Sequence, residues 1–367
     1  MGKMSIRIMF LCLTLVACDK TIHRYPDSVA EEGPVGAAHL SLAIRTEAPA
    51  IHTVVNCTSG EPAAYTLAEW LERTRVSDTR SPEISEALAA LTTGTRIDAG
   101  AWRLRLVWEL YKGSCEQVRA GKARRLERAC RYFAADVEEP QHDLDVSLPA
   151  GDYTLLAWAD FVPTTCEGDY YYATGDMRGV LCDLDLRGRC EDNALRDCFT
   201  ECCEFTASGV DGDRFDATLT RPQGRYTVLA TDYGRYAELT DRPVEENRIV
   251  TSYPSFVNVG YAVAEGRPNE SATGVGYTFV PRCYSYEGQE AVCLADDCAF
   301  VNGEESHVQL DFDVEYGGKA LASRRGIDIP LRPDRLTVVV GHFLTSSGDS
   351  GGVNIDEGFD DEIKIGY

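Results

Sequence analysis

Leu148-Pro149-Ala150-Gly151-Asp152-Tyr153-Thr154-Leu155-Leu156-Ala157 is the stretch whose reading decides the fold class, because its pattern returns twice. The second copy runs Leu219-Thr220-Arg221-Pro222-Gln223-Gly224-Arg225-Tyr226-Thr227-Val228-Leu229-Ala230, and the third runs from Ile329-Pro330-Leu331 through Arg335 to Val340. Each is an apolar strand end, a proline-led turn and a run rich in β-branched and aromatic residues. Proline presets φ at the turn, glycine in the first two copies tolerates positive φ, and Tyr, Thr, Val and Leu suit a pleated buried surface. The pattern predicts a mainly β protein built of antiparallel sandwiches.

The chain has 367 residues, enough for two domains with separate cores. Lys and Arg total 36 against 59 Asp and Glu, a formal charge of −23. Such a surface repels nucleic acid and anionic lipid, so neither is an expected partner. Fourteen cysteines point to an oxidising compartment.

At the start, Lys3 and Arg7 precede the apolar run Ile8 to Val16, and Leu15-Val16-Ala17-Cys18 matches the bacterial lipobox. The run is too short to span a membrane and reads as a signal peptide over 1–17, with Cys18 as the lipidation site. Acyl chains on one residue anchor a protein stably without a span. Residues 18–36 read as a polar tether, 37–240 as an N-terminal sandwich with helical and Cys-rich insertions, and 241–367 as a C-terminal sandwich. Alternation predicts strands near Ala38 to Arg45, Trp102 to Tyr111, Arg248 to Tyr253, Val275 to Val280 and Val308 to Tyr316, and a last one at Glu362-Ile363-Lys364-Ile365. Thr66 with Glu69 forms a capping box, and Ser81-Pro82-Glu83 a second helix start. The basic run Arg119, Lys122, Arg124, Arg125, Arg128 and Arg131 reads as a solvated helix face beside a Cys115–Cys130 bridge, with docking of an acidic partner as the other reading.

Chemistry-bearing motifs are weak. Gly348-Asp349-Ser350-Gly351-Gly352 resembles the nucleophile segment of chymotrypsin-like proteases, and Ala37-Ala38-His39 echoes their histidine motif. The serine motif lacks its following proline and the histidine motif its cysteine, so Ser350 is a remote hydrolase candidate beside a plain Gly/Ser/Asp turn. Cys198, Cys202 and Cys203 lack metal-ligand spacing, and Asp211 to Asp216 falls short of a calcium loop. No cofactor or metal is expected. With Cys12 and Cys18 set aside, twelve cysteines remain, an even number that suits disulfides of undetermined connectivity.

Several stretches are similar to a known group. They are Trp158-Ala159-Asp160-Phe161-Val162, Asp192 to Phe199, Tyr253 to Val259, Ala272-Thr273-Gly274-Val275, Gly341-His342-Phe343-Leu344-Thr345 and Ile355-Asp356-Glu357-Gly358-Phe359. Together with the repeated phrases they resemble Bacteroidetes lipoproteins of the fimbrillin and fimbrial-anchor-like group. The resemblance implies two tandem transthyretin-like β-sandwich domains, with a small helical insertion in the first, on a lipid anchor at the outer membrane. It implies a non-catalytic anchor, minor subunit or adhesin that meets fimbrial subunits by strand addition and the membrane through its lipid alone. Strand addition needs open sheet edges, and the strand near Leu40 and Ile363-Lys364-Ile365 are expected to lie at or near them. The alternative is a monomeric glycan- or host-protein-binding lipoprotein, with Tyr170, Tyr171 and Tyr172 stacking on sugars.

Overall fold

The computed structural model describes residues 34–57, 63–66, 69, 97–187, 193–240, 242–286 and 289–345. In chain order the strands are β1 Val35–Ile44, β2 Ala50–Cys57, β3 Ala63–Thr66, β4 Trp102–Lys112, β5 Arg124–Ala134, β6 Gln141–Pro149 and β7 Gly151–Pro163. Then come β8 Tyr172–Ala173, β9 Val180–Cys182, β10 Cys198–Ala207, β11 Asp213–Leu219, β12 Gln223–Ala230, β13 Arg248–Ser252 and β14 Val257–Ala262. The last are β15 Arg267–Ala272, β16 Gly276–Phe279, β17 Arg282–Tyr286, β18 Gln289–Phe300, β19 Ser306–Tyr316, β20 Lys319–Leu331 and β21 Arg335–Gly341. Short helices α1 Cys115–Arg119, α2 Leu184–Arg187 and α3 Tyr233–Thr240 lie between them. The protein is mainly β, as the alternation predicts.

Two sheets close a first core. One is ordered β11-β1-β6 and the other β10-β7-β4-β5. Alternate residues of β1 (Ala38, Leu40, Leu42, Ile44) meet Leu104, Leu106, Trp108 and Leu110 of β4 between them. A second core lies between the six-stranded sheet β17-β18-β12-β21-β2-β3 and the four-stranded sheet β16-β13-β19-β20. The fold is sandwich-like with both strand senses, since β1 with β11, β12 with β21 and β2 with β21 pair in parallel. A purely antiparallel architecture, which the turn pattern predicts, is therefore corrected.

The repeated phrases turn out to be arches, because the strands flanking each one do not pair with each other. The first carries the chain from β6 in one sheet of the first sandwich to β7 in the other. At this corner Gly151 has φ +148°, a region that side chains disfavour, and the Tyr153 hydroxyl donates to the Pro149 carbonyl at 2.7 Å. The third arch does the same between β20 and β21, where Thr337 Oγ1 donates to the Pro330 carbonyl at 2.5 Å. The second arch carries the chain from β11 in the first sandwich to β12 in the second. Its glycine serves close approach, since a Cβ on Gly224 would lie 2.8 Å from Leu331 Cβ and 2.9 Å from the Arg332 carbonyl. So the second and third arches dock on one another.

Strands β2, β3 and β12 share a sheet with β17, β18 and β21 of the second sandwich, because β21 pairs in parallel with both β2 and β12. The strand near Leu40 is not itself an edge but lies next to two: β1 sits between β11 and β6 in a three-stranded sheet. The predicted last strand around Ile363, the helix at Ser81 and the tether lie outside the described residues. The Thr66–Glu69 capping box forms, with Glu69 N donating to Thr66 Oγ1 at 3.2 Å and Thr66 N donating to Glu69 Oε2 at 2.9 Å.

A third core joins the sandwiches. The segment after β7, with β8 and β9, folds over the outer face of the β10-β7-β4-β5 sheet, and β9 pairs with β14 in a four-stranded sheet ordered β15-β14-β9-β8. That is why β4 and β7 are buried on both faces. Trp158 of β7 meets Tyr172, Tyr261 and Phe300 with ring centroids 5.2, 6.5 and 6.3 Å away.

Candidate functional site

Charged groups buried in this seam are paired with countercharges, and their pairing fixes how the two sandwiches meet. Arg105 donates to Asp160 through Nε at 2.8 Å and Nη2 at 2.6 Å, and to Asp169 through Nη1 at 2.7 Å. Arg196 binds Asp297, whose second oxygen accepts from Tyr253; the Tyr226 hydroxyl in turn contacts those of Tyr253 and Tyr277 at 2.7 and 2.9 Å. Arg221, at the second arch, binds Asp334 of the third arch and Asp197, the latter at 2.9 Å. Asp334 is the single positive-φ residue other than glycine among the described residues, at +54°. Buried ion pairs of this kind fix a geometry more than they add stability. Each charge here already has a protein partner, so the seam is a structural joint.

The basic run is a strand where a helix face is predicted. Only Cys115–Arg119 is helical, and Arg124 to Ala134 is β5, paired with β4. Arg125 and Arg128 both donate to Glu109 Oε1 at 2.6 Å, clamping a carboxylate that is fully buried. Tyr111 donates to the other oxygen of Glu109 at 2.6 Å, and burial together with this neighbour pushes the phenol up to about 12. Two of the six basic residues are thus spent on an internal charge.

What remains of β5 is an open flank. It is an edge strand whose inward residues Leu126, Ala129 and Phe133 are only half-buried, whereas those of neighbouring β4 are fully buried. The physical cause is strand number: a three-stranded sheet faces a four-stranded one. Across the core the flank is bounded by β6, also an edge, with Leu144, Val146 and Leu148 turned inward and Asp143 and Asp145 outward. His39 of β1 holds Asp145 at 2.9 Å, and Ser41 donates to Asp143 at 2.7 Å. Among the described residues no strand pairs with the outer side of β5 or β6, so edge backbone and half-covered apolar side chains lie side by side. Sequence reasoning missed this flank, because the six basic residues of the run drew the reading away from Leu126, Ala129 and Phe133 among them.

A cavity of about 520 Å³ sits where α1, β10, the second arch and the turn at Val263–Glu265 converge. It is lined among others by Cys115, Arg119, Glu201, Cys202, Arg221 and Tyr261. Burial raises the pKa of Glu201 and pushes the Cys202 thiol up, the latter also through its contact with Cys115. Cys115 does not face Cys130, as the loop-staple reading predicts. Its sulfur lies 3.1 Å from that of Cys202, while Cys130 stands exposed on β5 opposite Val107.

Cys18 and Ser350 both lie outside the described residues. Among the described residues no cluster of three or more His, Cys, Asp or Glu is arranged to hold a metal. Asp211 accepts from Ala37 N at 2.8 Å and Asp213 from Ser208 N at 2.7 Å, so both carboxylates fasten a turn. Of the tyrosine cluster, Tyr171 and Tyr172 are buried, stacked on Trp102 and edge-on to Trp158 respectively, so neither presents a ring face to a sugar, while Tyr170 is half-buried and edge-on to Trp102.

Residues 61–366 match the model of a family of unknown function, DUF6562, and the chain belongs to that family. No protein of curated function matches. Among solved structures, the chain is similar to a protein of Bacteroides thetaiotaomicron described as polysaccharide-binding, at 9% identity and a TM-score of 0.39 over 78% of this chain and 79% of that one. It is similar to one described as an adhesin from the same organism, at 12% identity and a TM-score of 0.39 over 80% and 81% of the chains. It is also similar to the fimbrial anchor protein Mfa2 of Porphyromonas gingivalis, at 11% identity and a TM-score of 0.32 over 78% and 82%.

Proposed function

We propose that the protein is a non-catalytic surface lipoprotein of the fimbrial-anchor or adhesin type, held at the outer membrane through Cys18, with its two β-sandwich stacks corresponding to the transthyretin-like pair of that group. The observation that carries this reading is the open β5/β6 flank. An added strand along β6 satisfies its free backbone groups and covers Leu126, Ala129 and Phe133. Completing the burial of a Leu or Phe side chain contributes about 1.5–3 kcal/mol when the side chain starts fully exposed, and correspondingly less here. The contacts of His39 with Asp145 and of Ser41 with Asp143 tie β6 to β1 in the receiving sheet, which lowers the ordering cost of docking.

Crosslinking of intact cells followed by purification of this chain tests the reading. The expected result is a covalent adduct with a second surface protein that contributes an extended segment, lost together with surface retention in Cys18→Ala. Recovery of the uncrosslinked monomer alone removes the attachment role.

A further inference from the structure

Two cysteines on separate elements face one another across the wall of the seam cavity. Cys115 opens α1, whose N-terminus is fixed by a full capping box between Ser114 and Gln117. Its backbone N–H donates to Glu204 Oε2 of β10 at 2.7 Å, which ties the helix start to that strand. Cys202 sits within β10, held in register against Leu156 of β7. The two sulfurs are 3.1 Å apart, and both line the cavity.

We propose that Cys115 and Cys202 are a disulfide-forming pair that staples the β4–β5 connection to β10 across the seam. A disulfide sulfur–sulfur bond is about 2.05 Å long, so a movement of about 1 Å closes the contact. Both backbones are fixed by local hydrogen bonds, so neither element has to refold for this to happen. The chemistry is thiol–disulfide exchange with a disulfide oxidant, either a dithiol oxidoreductase or a small disulfide such as oxidised glutathione. One cysteine loses its proton and its thiolate attacks the oxidant's disulfide, giving a mixed disulfide and one released thiolate. The second cysteine loses its proton and attacks the protein sulfur of that mixed disulfide, closing Cys115–Cys202 and releasing the second thiolate. The pair gives up two electrons and two protons, and the oxidant's disulfide becomes two thiols.

The bond closes a loop between positions 87 residues apart, so it restricts the unfolded chain strongly. It also holds α1 beside the turn at Val263–Glu265, where Ala264 O keeps its bond from Arg119 Nε at 2.6 Å and loses the one that the Cys115 thiol donates at 3.1 Å. Other sulfurs face carbonyls: Cys166 lies 3.6 Å from Gly168 O, and Cys293 lies 3.6 Å from Ala295 O.

The test equilibrates the folded full chain with oxidised glutathione, quenches it in acid, alkylates free thiols, and maps unreduced peptides by mass spectrometry. The expected result is a linked Cys115/Cys202 peptide pair that separates on reduction and persists in Cys130→Ser. Reduction is expected to lower Tm by about 5–10 °C in the wild type. Alkylation of both thiols, or linkage of either one to a different cysteine, overturns the proposal.

Discussion

Asp297→Ala is expected to lower the unfolding free energy by about 3–5 kcal/mol, the cost of stranding a buried cation. Asp297 and Arg196 have side chains 0% and 1% exposed, and the carboxylate also accepts from Tyr253 and from Cys298 N at 2.7 Å. Removing it takes the carboxylate countercharge from the guanidinium and the carboxylate acceptor from the Tyr253 hydroxyl, both in the buried interior. The comparison is Asp328→Ala, which breaks a His307 pair whose partners are 51% and 57% exposed. Exposed pairs contribute about 0–1 kcal/mol, so this control is expected to unfold almost as the wild type does. Urea denaturation of both variants checks the contrast, and equal losses would remove Asp297 from its role at the joint.

Trp158→Ala is the second large effect, about 3–5 kcal/mol from a cavity in a packed core. Its position makes the loss informative beyond its size. Trp158 belongs to β7 of the first sandwich, while Phe300 belongs to β18 of the second and Tyr261 to β14 beside it. Truncation therefore weakens the coupling between two cores that each remain intact. Calorimetry is expected to resolve two transitions in the variant where the wild type shows one. A single transition at lowered Tm would mean that the sandwiches cooperate through the arches and ion pairs without the aromatic core.

These expectations rest on features of unequal visibility in the sequence. Alternation is a local signal, and it placed β1, β4, β13, β16 and β19 within a few residues. The three proline-led phrases were visible too, but their role was not. A turn's chemistry says that the chain bends and leaves open whether the next strand pairs with the last one or crosses to another sheet. That choice depends on distant partners, as when β21 takes β2 on one side and β12 on the other. The basic run misled for a related reason: six cations within 13 positions satisfy helical and extended patterns alike, and Glu109, the buried acceptor that recruits two of them, lies on a different strand. The tyrosine cluster looked exposed because its loop is polar, yet Trp102 and Trp158 wait beneath it. Cysteine partnership across 87 residues has no local signature at all.

The flank at β5 and β6 is the feature on which the proposed function turns, so the most direct measurement places a probe there. A photo-crosslinking amino acid at Arg131, exposed on β5, is compared with one at Glu304, exposed in a turn of the second sandwich. Illumination of intact cells is expected to give an adduct with another surface subunit from position 131 and none from position 304. No adduct at 131, or equal adducts at both positions, would contradict attachment through this flank.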